Sequence, residues 1–142
     1  ATFDAAPAAP APDRSRATLE LALFLYRAGS LAESERLARA CLALPVNELA
    51  ARHWTRAQAT ALLGQIALDG ERLAEAESLL LAADQALRLE PARNARAIAG
   101  TARSLVRLYE RWQEREPSDA RAAALERWRR EAGVDAESPA GR

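Results

Sequence analysis

The chain has 142 residues, 49% of them hydrophobic and 28% charged, and its 20 basic and 20 acidic side chains cancel. That length suits one domain able to bury a core without staples, and zero net charge argues against a general binder of nucleic acid or membrane surface. With 36 alanines, 21 leucines and only ten valine, isoleucine or threonine residues, composition favours helix over sheet. All 20 basic residues are arginine, which reads as codon bias before function. The single Cys41 cannot form an internal disulfide, and no apolar run reaches the roughly 20 residues needed to span a bilayer. No signal peptide is visible, so a cytoplasmic protein is expected. A chain without methionine that begins at Ala1 reads as a fragment or a processed product.

Residues 1–13, rich in alanine and proline, predict an extended linker, and residues 133–142 predict a frayed, disordered tail. Between them the spacing predicts six helices over residues 14–132. The first runs from about Ser15 to Ala28 and the second from Leu31 to Leu44. Asn47 is the expected cap of the third, which extends to about Leu68. The fourth covers Leu73 to Leu89 and the fifth Ala92 to about Arg115. The sixth is capped by Ser118 or Asp119 and ends near Ala132, before Gly133. Gly29-Ser30 and Asp69-Gly70 mark tight turns, while Pro45, Pro91 and Pro117 mark helix ends.

A 42-residue period runs through this pattern. It aligns Arg14, Ala17, Thr18 and Leu21 with Arg56, Ala59, Thr60 and Leu63, and Leu31-Ala32-Glu33 with Leu73-Ala74-Glu75; in all, ten of 33 positions are identical. A second step carries Leu21 and Leu63 to Leu105, and Phe24 and Ile66 to Leu108. A helical hairpin repeated at fixed period predicts a solenoid, because one hairpin cannot bury its own apolar face.

Leu63-Gly64 followed by Leu73-Ala74-Glu75-Ala76-Glu77 and Leu79-Leu80-Leu81 resembles the tetratricopeptide repeat, in the longer variant of kinesin light chains. Gly64 and Ala76 fall where that family uses small residues to bring its helices together, and Ala22 and Ser34 take those places in the first unit. At the family's turn glycine stand Gly29 and then Glu71, with Gly70 one place earlier. His53-Trp54-Thr55-Arg56, with Leu105-Val106-Arg107-Leu108-Tyr109-Glu110-Arg111-Trp112, resembles the closing repeats of large bacterial serine/threonine protein kinases. Gln113 follows the tryptophan where those repeats carry glycine. The resemblance implies an all-α, right-handed superhelix of about three antiparallel hairpins, a tetratricopeptide-like solenoid. It also implies a non-catalytic protein–protein interaction module at the C-terminus of a larger bacterial signalling protein such as a serine/threonine kinase, with a self-association module or a free-standing adaptor as the alternatives.

Chemistry-bearing residues are sparse. His53 is the only histidine, with Trp54 beside it expected to pack between hairpins. Cys41 aligns with Ala83, a small core position, and the recurring Glu33/Glu35 and Glu75/Glu77 suit helix N-termini. Trp112 and Trp128 are expected to seal the last hairpin with Leu108 and Leu125. No phosphate loop, nucleophile elbow or metal-ligand spacing occurs, so no catalytic residue, metal or cofactor is expected.

The first helix is apolar on two sides. Leu21, Phe24, Leu25 and Ala28 are expected to form the repeat's own core, leaving Leu19, Leu23 and Tyr26 opposite. The 42-residue step sends Leu19 and Leu23 to Ala61 and Gln65, then to Arg103 and Arg107. By the resemblance, first helices line a partner-binding groove. Its candidate residues are Leu19, Leu23 and Tyr26 in the first unit, Ala61, Gln65 and Asp69 in the second, and Arg103, Arg107 and Arg111 in the third. Grading from apolar to basic, it suits a protein or peptide partner with an acidic end, and no nucleic acid or membrane. Two alternatives stay open: Leu19 and Leu23 contact another repeat or a second copy, as a homo-oligomer would require, and the arginines form an ordinary solvated face.

Overall fold

A computed structural model describes residues 11–44 and 54–133. These residues form six α-helices and no strand: α1 (Ala11–Arg27), α2 (Leu31–Ala43), α3 (Trp54–Asp69), α4 (Leu73–Leu87), α5 (Ala95–Arg115) and α6 (Asp119–Ala132). The predicted Asn47 cap and His53 lie outside the described residues. Helix α1 begins at Ala11, not near Ser15, so residues 11–13 are helical where a linker was expected. Pro12 falls in the first turn, where its missing N–H leaves no intrahelical bond unmade. Helix α5 begins later than predicted, at Ala95, because residues 91–94 form turns.

Consecutive helices pack as antiparallel hairpins, α1 with α2, α3 with α4 and α5 with α6, and each hairpin packs on the next. Backbone contacts also join α1 to α3 and α3 to α5, whereas α2, α4 and α6 reach one another only through long side chains. The first helices therefore form one layer and the second helices another. Helix α3, which contacts α1, α2, α4 and α5, buries residues over most of its circumference.

Small residues set the spacing within hairpins. A Cβ added at Gly64 would lie 2.7 Å from Leu80 Cγ and 3.3 Å from the Leu80 backbone nitrogen, so α3 and α4 need glycine there to approach as closely as they do. In the first hairpin the Ser34 hydroxyl donates to the carbonyl of Ala22 at 2.7 Å, both residues being fully buried. Gly29 takes φ +88° at its turn. The equivalent residue of the second turn, Glu71, takes φ +63°, the one left-handed non-glycine among the described residues. The third turn departs from the period: α5 continues through Arg115, one turn past the equivalent helix ends, and Ser118 then caps α6 by accepting from the Arg121 N–H. Gly133 ends α6 at φ +75°.

The apolar stripe expected to form the first repeat's core is largely exposed. Leu21 is 49% and Phe24 62% accessible, Ala28 is exposed and Leu25 is half-buried. Their equivalents Leu63, Ile66, Leu105 and Leu108 are all 3% or less. Leu63 and Ile66 pack with Ala38, Leu37 and Leu42 of α2, and Leu105 and Leu108 with Leu73, Ala76 and Leu80 of α4. The stripe is thus the contact between hairpins, not the core of one, and among the described residues no hairpin precedes α1. Full burial of a Leu or Phe side chain is worth roughly 1.5–3 kcal/mol, which α1 forgoes at this face. The last hairpin is closed as predicted: Trp128 is buried with Leu105, Leu108 and Tyr109, and Trp112 and Leu125 pack against that cluster.

The candidate groove between first helices

The layer of first helices contains a groove of about 430 Å³. Leu23, Tyr26 and Arg27 of α1 form one wall, and Gln58, Ala61, Leu62 and Gln65 of α3 form the floor. Arg93 and Asn94 of the preceding loop, with Arg96, Ala97, Gly100, Thr101 and Arg103 of α5, form the other wall. It forms there because helices repeating at one orientation leave a trough wherever their facing residues are shorter than the helix spacing. Ala61, Ala97 and Gly100 are such residues.

Five of the nine candidate residues line this groove: Leu23, Tyr26, Ala61, Gln65 and Arg103. The Tyr26 hydroxyl donates to Asp69 Oδ2 at 2.7 Å, tying α1 to the end of α3. Burial first, then the bond to and charge of Asp69, push the phenol up to about 12. Arg107 lies outside the lining but near enough for its charge to act on that phenol in the opposite sense. Gln65 Nε2 donates to Ser104 Oγ at 3.3 Å, fixing the floor to the basic wall.

Two candidates belong elsewhere. Leu19 is 2% exposed and packs with Cys41 and Ala59, because the α1 face opposite Phe24 turns into the angle between α2 and α3. Arg111 is half-buried: its Nη1 donates to the carbonyl of Leu68 at 3.2 Å and to Glu71 Oε2 at 2.8 Å. It closes the C-terminal end of α3, where a cation complements the helix dipole.

The structure adds Arg93, Arg96 and Arg27 to the basic lining. Arg96 and Arg103, like Arg27, have no carboxylate within 4 Å among the described residues, and Arg93 reaches Glu90 only at 3.7 Å. Arg93 and Arg16 lie over the ring of Trp54 at 5.7 and 5.5 Å, so this indole links α1, α3 and the loop before α5. Asn94 stands at the start of α5 without capping it. Its amide donates to the carbonyl of Leu87 at 3.0 Å, and its buried Oδ1 has no partner.

The outer layer treats charge differently. Glu35, Arg39, Arg72 and Glu75 form a closed ring across α2 and α4, with N–O distances of 2.9, 3.4, 3.4 and 3.1 Å. The Arg39 hydrogen bond is the largest effect holding the Glu35 carboxyl below its ordinary value. Glu77 accepts from the Tyr109 hydroxyl, so the recurring glutamates connect hairpins as well as opening helices. Arg88 joins Asp84 and Glu131, and Arg129 joins Glu110 at 3.1 Å. Cys41 is buried, its Sγ donating to the carbonyl of Ser15 at 3.4 Å, and burial pushes the thiol up.

Among the described residues no helix is long and apolar enough to cross a membrane. No protein family, curated protein or solved structure matches the chain.

Proposed function

We propose that this chain is a tetratricopeptide-like, right-handed helical array that binds a protein or peptide partner in the groove of its first helices, without catalysis. The carrying observation is electrostatic. Arg27, Arg96 and Arg103 line one groove with no carboxylate within reach among the described residues, while most arginines of the second helices are paired. Unpaired guanidiniums around an apolar floor favour an acidic ligand, through charge-assisted hydrogen bonds that no internal partner already satisfies. Leu23 and Tyr26 opposite give that ligand an apolar contact. The likeness of residues 105–112 to the closing repeats of bacterial serine/threonine kinases supports placing the array at the C-terminus of such a cytoplasmic signalling protein.

A fluorescein-labelled peptide of glutamates ending in two leucines, titrated by anisotropy, tests the groove. Binding should weaken as salt rises, and replacing Arg96 and Arg103 together with alanine should weaken it at least about tenfold. Equal binding of the glutamine version of the peptide, or indifference to both substitutions, would sink the reading.

A further inference from the structure

Helix α1 presents to solvent the face that α3 and α5 bury against a neighbouring hairpin. We propose that this face binds a second copy of the chain, α1 packing antiparallel on α1 about a two-fold axis at Phe24.

Three observations select this occupant. First, the exposed positions Leu21 and Phe24 correspond by the 42-residue period to Leu63 and Ile66, and to Leu105 and Leu108, every one of which lies under a helix. The face therefore has the spacing of a helix-packing surface.

Second, the far end of the array does not complement it. The row that meets the next hairpin reads Leu23 and Tyr26 in the first unit, Gln65 and Leu68 in the second, and Arg107 and Glu110 in the third. Glu110 is paired with Arg129, and Arg107 is exposed. Head-to-tail stacking would set Phe24 beside the Glu110–Arg129 ion pair and strip water from it, which favours the meeting of like ends.

Third, α1 complements itself. In an antiparallel pair related by a two-fold axis at Phe24, like flanks face one another, and same-flank residues whose numbers sum to within one of 48 come within about 1.5 Å of level along the axis. Glu20 and Arg27 share one flank of Phe24, so Glu20 of each copy comes opposite Arg27 of the other. Leu21 and Ala28 share the other flank, so each leucine meets an alanine. Arg27 has no carboxylate within 4 Å among the described residues. Glu20 holds only the exposed Arg16, at 3.3 Å, which leaves a carboxylate oxygen for a second guanidinium. The helix thus supplies opposite charges on one side and large against small on the other.

Sedimentation equilibrium of the 142-residue chain, from low to high micromolar concentration, tests this. The expected result is a reversible dimer that Phe24→Glu converts to monomer with helicity unchanged by circular dichroism. Glu20→Arg should weaken the dimer about tenfold, and adding Arg27→Glu to it should restore affinity, since the swap rebuilds both cross-pairs in reverse. A chain monomeric at high micromolar concentration overturns the proposal. So does a dimer indifferent to Phe24→Glu, or a double variant no tighter than the single one.

Discussion

Arginine does two different jobs on the two layers of this fold. On the second helices it is spent internally: Arg36 and Arg39 of α2, and Arg121, Arg129 and Arg130 of α6, each lie within 4 Å of a carboxylate. Along the groove of the first helices Arg27, Arg96 and Arg103 have none among the described residues. Solvated ion pairs contribute little to stability, so the outer pairs neutralise and connect more than they hold the fold together. The lesson concerns composition. A chain with 20 positive and 20 negative side chains carries a local basic surface because its acids are distributed unequally.

The strongest way to break that contrast is to reverse charge on one layer at a time. Arg96→Glu with Arg103→Glu should weaken the glutamate peptide about a hundredfold, roughly 2.7 kcal/mol, while leaving the melting temperature near that of the parent. Arg36→Glu with Arg130→Glu, of equal charge change on the outer layer, should leave binding within about twofold. Equal losses from both would reduce the groove to general charge attraction.

Next in size is the spacing of the layers. Gly64→Ala places a methyl group 2.7 Å from Leu80 Cγ, and with the Leu80 backbone nitrogen at 3.3 Å the helices must separate. Overpacking of this kind costs about 1–3 kcal/mol, visible as a lower denaturant midpoint. Gly70→Ala is the control, because an added Cβ there meets nothing closer than 3.4 Å.

Smaller effects belong to the outer ring and to the tie across the groove. Glu35→Gln should cost less than about 1 kcal/mol, and less still at high salt. The Glu35 carboxyl is held below its ordinary value in the fold, so the stability it provides is present above the unfolded pKa and lost as pH falls through the folded one. Tyr26 works at the opposite end of the scale. Its phenol is raised from 10.0 to about 12, so the folded state keeps a proton that the unfolded state releases. Stability contributed there is complete below pH 10 and falls as pH rises towards 12. Tyr26→Phe should flatten that segment of a stability-against-pH curve, though Tyr109, raised in the same direction, will keep some slope.

The two layers were legible to different degrees in the sequence. Helix number and most boundaries followed from proline, glycine and the 42-residue period, all local signals. The side of α1 that forms the core did not. Leu21/Phe24 and Leu19/Leu23 are equally apolar stripes, and only the neighbours of α1 decide which is covered. Arg96 was missed for a related reason: its equivalent by period is Trp54, so no repeated pattern marked it as groove-lining. Arg111 fell in the expected row but is drawn aside by Glu71, a contact made across 40 positions that periodicity does not encode.

Glu71 also gives the finest test of how the layers are joined. It takes the left-handed conformation that Gly29 takes in the first turn, at a cost of about 1 kcal/mol for a residue with a Cβ. Its carboxylate oxygens receive Arg111 at 2.8 Å and Arg115 at 2.5 Å, both from α5, so the turn between α3 and α4 is fastened to the next hairpin. Glu71→Gly should relieve the strain and lose two partly exposed ion pairs, leaving stability within about 0.5 kcal/mol of the parent. What should change is local: amide exchange at the N–H groups of residues 70–72 should quicken once the turn is released from α5. Unchanged exchange would mean that the backbone bonds from Glu71 and Arg72 to Leu68 and Ala67, at 3.0 and 2.8 Å, hold the turn alone. The glutamate at this glycine position would then owe nothing to the arginines it meets.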